Sequence, residues 1–173
     1  VVEWRNGAAQ TIWNAGNSPL GINGNVSDGI VDVAGLDMDA DGNLWVSNAN
    51  TAGLLSVKKT DNTWKAFSPG SVAGTNTLVS DVLAASNGLK WLVRPRSNGM
   101  LVFSDGGTID DTGDDQWKAV TTTENQGKLP SMGVFCVNED QDGQVWVGTD
   151  KGVAVFYNPD AIFLNDGTNW DCQ

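Results

Sequence analysis

The residues best able to do chemistry in this chain are acids. Asp37, Asp39 and Asp41 stand at alternate positions and are followed by Gly42, which matches the opening of a calcium loop, where hard oxygen ligands alternate and a glycine permits the sharp turn. The pattern then breaks off. Position 48, where a bidentate glutamate would complete the loop, is Asn48, and Trp45 and Val46 read as strand residues. Two readings stand, a bound Ca²⁺ ion and a plain hairpin turn. A second acidic group, Asp105, Asp110, Asp111, Asp114 and Asp115, lies in SDGGTIDDTGDD. It offers a calcium or basic-partner site, or a solvated loop that favours solubility. A carboxylate pair for glycoside hydrolysis could be drawn from these acids, but no two are singled out by their context.

What is missing narrows the chemistry further. The sequence has no histidine, which excludes within this chain a Ser-His-Asp triad, a Cys-His pair, a histidine-ligated zinc and a histidine general base. Its two cysteines, Cys136 and Cys172, could pair in an oxidising compartment or stay as free thiols; spacing does not decide, and the reading adopted is unpaired. Arg94 and Arg96 flank Pro95 just after a strand. They could clamp a carboxylate or phosphate, or pair with nearby acids. Trp4 is a candidate platform for a sugar ring. A net charge of −11 argues against an electrostatic grip on nucleic acid or an anionic membrane, and no stretch approaches the ~20 apolar residues of a membrane span. Val1 reads as a processed or cut end.

The elements that position these residues follow from internal repetition. Trp45, Trp91 and Trp146 lie in NLWVSN, LKWLVR and QVWVGT. Three residues before them stand Gly42, Gly88 and Gly143, preceded by Asp41, Asn87 and Asp142. A further glycine, Gly53, Gly99 or Gly152, opens an apolar run, and VDVAGLDM, LVSDVLAA or VFCVNE precedes each turn. Trp13, Trp64, Trp117 and Trp170 recur at a similar period and are assigned to the last strand of each unit. Four short strands per unit of about fifty residues make a propeller blade. The fold class is therefore all-β, a propeller of four-stranded antiparallel blades, with about three and a half blades present as a fragment of a larger ring. The expected division is 1–27 half blade and linker, 28–76 blade, 77–132 blade with the acidic insertion, and 133–173 blade lacking most of its last strand. The two sets of tryptophans are expected to pack between adjacent sheets.

The stretch EDQDGQVWVGTDKGVAVFYNP resembles the repeat of two-component regulator propellers of Bacteroidetes-type bacteria: an Asp-rich turn, Gly, Trp, an aliphatic residue, Gly-Thr, Gly and an apolar strand. DADGNLWVSN follows the pattern, while SNGLKWLVRP lacks the acidic turn and the Gly-Thr. The resemblance covers 29–159 and, more loosely, the tail YNPDAIFLNDGTNWDC, which is similar to the secretion-associated branch. It implies a seven-bladed propeller outside the cytoplasm, in the sensor region of a hybrid histidine kinase or in a PorZ-like protein of type IX secretion. LDMDADGNLWVSN is also similar to gluconolactonase-like and streptogramin-lyase-like propellers; the lyase type depends on a histidine, which counts against the activity and not the fold. The expectation is a non-enzymatic platform in the periplasm or at the cell surface that senses a ligand or binds protein or glycan, completed by remaining blades from the same or another chain. It carries no cofactor apart from the calcium reading. The alternatives are a carboxylate- and metal-dependent lyase or hydrolase, and a purely architectural propeller.

Overall fold

A computed structural model describes residues 1–164 and 166–173. Asn165, inside the tail quoted above, lies outside them. The turn glycines take the backbone that the repeat demands: Gly42, Gly88 and Gly143 have φ of +81°, +87° and +78°, a left-handed conformation that costs a residue with a Cβ. Each turn reverses the chain between the first two strands of a sheet.

Two four-stranded sheets result. The first is β3 (Asp32–Met38), β4 (Leu44–Ala49), β5 (Leu55–Lys58) and β6 (Trp64–Phe67) in sequential antiparallel order. The second is β7 (Asp81–Ala84), β8 (Lys90–Val93), β9 (Met100–Ser104) and β10 (Gln116–Val120). A three-stranded sheet follows, β11 (Val134–Glu139), β12 (Val145–Thr149) and β13 (Gly152–Phe156), and a two-stranded sheet, β1 (Val2–Arg5) with β2 (Ala8–Ile12), precedes them. Short 3-10 turns cover Gly70–Ala73 and Pro159–Phe163. Register confirms the repeat alignment, since Trp45, Trp91 and Trp146 sit opposite Asp37, Leu83 and Asn138 on the neighbouring strand. Val155 and Gln173 exchange both backbone hydrogen bonds, at 3.0 Å each, so the tail begins a fourth strand beside β13. The sheets form an open arc, consistent with a segment of a larger propeller.

The core lies between blades. Trp45 is fully buried against Phe67 and against Phe103 of the next blade, with ring centroids at 5.6 and 6.2 Å. Trp91 meets Phe156 in the same way, at 4.9 Å. Covering one such ring stabilises the interface by roughly 5 kcal/mol as an upper bound, from ~200 Å² at ~25 cal/mol per Å². Trp146 occupies the same position in the three-stranded sheet and is 42% exposed, because no further sheet lies against it in the described chain. The opposite side of the arc shows the mirror situation: Leu36 is 50% exposed, whereas its counterpart Val82 is 4% exposed beneath the preceding blade.

The other tryptophan set is not structurally equivalent throughout. Trp64 is the first residue of β6 and Trp117 the second of β10, but Trp13 follows the end of β2 and packs on Trp64 with centroids 5.6 Å apart. The near-regular spacing places Trp13 beside the next unit's tryptophan rather than in its position. Trp170 is 8% exposed in the tail, next to Gly127 and Phe156.

Candidate functional site

The Asp37, Asp39, Asp41 turn was the strongest metal candidate, and its carboxylates face different partners. One Asp39 oxygen accepts the backbone N–H groups of Asp41 and Asn43, at 3.1 and 2.8 Å. The other accepts the Asn43 amide at 3.0 Å and the Trp45 indole N–H at 2.8 Å. Burial opposes ionisation of Asp39, but the bonds from Trp45 and Asn43 and the charge of Lys90 outweigh it, so the carboxyl titrates below the usual aspartate value. Asp37 reaches the next blade, where it accepts the Ala84 N–H at 2.8 Å. Among the described residues no group of three or more His, Cys, Asp or Glu side chains is placed to hold a metal ion. The constellation that the spacing offers is therefore not assembled in this geometry.

Asp140 repeats the Asp39 arrangement, accepting Asp142 and Gln144 N–H groups and the Trp146 indole at 2.7 Å. The motif is thus a turn and indole clasp. In the second blade Ala85 replaces the aspartate, and the buried Trp91 indole nitrogen has no partner.

Sequence reasoning missed a second constellation. Lys90, 3% exposed, donates to Asp105 at 3.2 Å and to the Gly88 carbonyl at 2.6 Å, and its ammonium lies 4.2 Å from the centroid of the Trp45 ring. A cleft of about 370 Å³ opens there between the first two blades, lined by Asp39, Asp41, Lys59, Lys90, Asp105 and Asp110 among others. The available signal was the aligned position itself, where a lysine stands between the apolar counterparts Leu44 and Val145. The acidic insertion joins β9 to β10 as expected. It is tied down by Lys59 to Asp110 at 2.8 Å, Thr108 to Asp114 at 2.7 Å, and Lys65 to the Ile109 carbonyl. Burial, with Asp114, Asp105 and Asp111 adding to it against Lys65, lifts the Asp115 carboxyl above its ordinary value.

The two arginines do not form a clamp, which corrects the expectation. Arg94 is 7% exposed and donates to the carbonyls of Ala73 and Asn76 at 2.7 and 2.9 Å, so it fastens the inter-blade loop. Desolvation lowers its pKa from the ordinary arginine value. Arg96 is exposed at the tip of the same loop. Trp4 is 67% exposed on β1, open to solvent and not part of the Lys90 cleft. Cys136 is exposed, and Cys172 is half-buried; both are free thiols.

Comparison with known proteins fits this architecture. Residues 128–151 match the family model described as two component regulator propeller. No curated protein matches the sequence. Among solved structures, PorZ of Porphyromonas gingivalis, an essential bacterial surface component of the type IX secretion system, superposes with a TM-score of 0.80 at 22% identity, over 99% of this chain and 24% of its own. The extracellular domain of a hybrid two-component system from B. thetaiotaomicron matches at 19% identity with a TM-score of 0.54, over 88% of this chain and 18% of its own. Virginiamycin B lyase from Staphylococcus aureus matches at 15% identity with a TM-score of 0.51, over 79% of this chain and 39% of its own. The chain therefore spans well under half the length of these structures. It is an open β-propeller segment in which residues 128–151 match the two component regulator propeller repeat.

Proposed function

We propose that the chain is part of a non-enzymatic extracytoplasmic propeller, a platform that binds protein or glycan ligands in a bacterial surface, secretion or sensor protein. The observation that supports this most is the likeness over 99% of the chain to a surface component of a secretion system. The likeness to the extracellular domain of a hybrid two-component system adds to it. The turn residues richest in chemistry, Asp39 and Asp140, serve as clasps within blades, which leaves recognition to loops and exposed strands where the repeats differ. No helix among the described residues is long and apolar enough to cross a membrane. Further blades, from the same or another chain, are the natural partners of the bare Leu36 and Trp146 faces.

A glycan array probed with the chain and with Trp4→Ala tests the reading. Binding that disappears in the variant supports a glycan platform using Trp4, and binding that persists moves the contact elsewhere on the platform. The lyase-like neighbours favour a second reading. One of them is described as an inactive variant with a histidine replaced by alanine, bound to quinupristin, and this chain has no histidine. Cleavage of quinupristin by the chain would replace the platform reading with the enzymatic one.

A further inference from the structure

The chain sets ten lysines and arginines against twenty-one acids, so a cation without a partner is out of place in it. Among the described residues every basic side chain except Arg96 and Lys151 donates to a carboxylate, a carbonyl or an amide oxygen. Lys151 sits in the short exposed turn between β12 and β13. Arg96 stands on a braced loop. Arg96 and Ser97 both have left-handed backbones, with φ of +61° and +59°, which residues bearing a Cβ adopt rarely and which persist when the surroundings hold them. The Asn98 amide ties the Pro95 and Arg96 carbonyls together at 2.7 and 3.0 Å. Beneath, Arg94 pins the loop to Ala73 and Asn76.

The ground in front of this arginine is polar and carries no acid. Arg96 borders a depression of about 370 Å³ with Asn25, Asn50, Thr75, Asn76 and Thr77, and Leu78 as its one apolar lining residue. Asn25 donates to the Asn50 side chain at 3.0 Å, and Asn50 donates to Asp32 behind it at 2.8 Å, so these amides are held in place. No hydrogen bond engages the hydroxyls of Thr75 and Thr77 or the Asn76 amide nitrogen among the described residues. The unengaged set is one guanidinium, two hydroxyls and one amide. A single guanidinium matches a singly charged carboxylate in a forked geometry, and neutral hydroxyls and amides match neutral hydroxyl groups. A doubly charged phosphate would call for more cations than the depression offers.

We infer that this depression binds a carboxylate carried beside hydroxyl groups, the chemistry of a sugar acid, with Arg96 on the carboxylate and Thr75, Asn76 and Thr77 on the hydroxyls. The inference rests on the binding-platform reading and specifies a ligand class for it. The carboxylate comes either from a free sugar acid or from an acidic glycan, and the probes separate the two. Titration of the chain with D-glucuronate, D-glucose, acetate and a short oligogalacturonate, followed by amide shifts, is the test. Loss of a charge-assisted pair predicts that Arg96→Ala weakens glucuronate or oligogalacturonate roughly tenfold or more. Arg96→Gln, which keeps a polar amide but not the charge, shows the same loss, Arg96→Lys loses less, and Lys151→Ala matches wild type. Glucuronate bound more tightly than glucose and acetate supports a free acid; oligogalacturonate bound alone, with the same Arg96 dependence, supports a glycan. The inference is overturned if neither acid binds more tightly than glucose and acetate, or if Arg96→Gln binds as wild type does. Array binding lost in Trp4→Ala would still uphold the platform reading in that event.

Discussion

Replacing Asp39 with alanine tests the clasp against its own repeat. The substitution removes four hydrogen bonds, two to turn N–H groups, one to the Asn43 amide and one to the Trp45 indole. Trp45 is fully buried, so its N–H is left without water or protein. An orphaned buried donor costs about 1–3 kcal/mol. With the turn bonds partly replaced by water, a total near 2–3 kcal/mol follows, or roughly 4–12 °C in melting temperature for a chain of this size. Asp140→Ala removes the corresponding turn and indole bonds from a turn whose indole is 42% exposed, where water substitutes, and its loss is smaller. Thermal and urea unfolding of both variants, followed by far-ultraviolet circular dichroism, compares them directly. The Asp39 carboxyl is depressed in the folded chain, so its contribution is fully present above the unfolded value near ~3.9 and is lost as pH falls through the lower folded value. The gap between wild type and Asp39→Ala therefore narrows below about pH 4. Equal losses in the two variants, or additive losses in Asp39→Ala with Trp45→Phe, would refute the argument from the buried indole.

Three further outcomes are expected. Lys90→Val leaves Asp105 buried without its partner and destabilises by about 3–5 kcal/mol, whereas adding Asp105→Asn, which reproduces the third blade's Val145 and Asn158, restores most of that loss in urea denaturation. Gly35→Ala costs about 1–3 kcal/mol, since a Cβ there would lie 2.7 Å from the Val82 nitrogen and 2.8 Å from the Asp81 Cα of the next blade; the same melting assay reads it. With a thiol reagent near neutral pH, Cys136 reacts first, because burial, with Asp171 adding to it, raises the Cys172 thiol above its ordinary pKa.

Much of the fold was legible because blade building repeats. A glycine at left-handed φ and a tryptophan three residues on recur wherever two strands must be joined and buried, and Gly42, Gly88 and Gly143 could be aligned on that basis alone. What the residues alone left open were their partners. Asp39 carries the residue type and spacing of a calcium ligand, yet the indole that uses it lies six residues away on the returning strand, a contact that register creates. Arg94 looked like a surface cation because it follows a strand, but the loop that accepts its hydrogen bonds belongs to the junction between blades. Lys90 was hidden inside an apolar run, at a position filled by Leu44 and Val145 in the other repeats. Trp13 shows the converse error, in which regular spacing does not carry structural equivalence.

Consider finally the two bare edges, Leu36 and Trp146. In arrays where each unit touches its neighbours alone, stability is set by the number of interfaces a unit shares. The sheet β7 to β10 shares a buried cluster with a neighbouring sheet on each side, while the sheets beginning at β3 and β11 each take part in one of the two clusters. Local opening therefore starts at the rims and moves inward. Amide hydrogens of β8 and β9 should exchange slowest in the chain, those of β4 and β12 sooner, and a partner that covers Trp146 would slow β12 first.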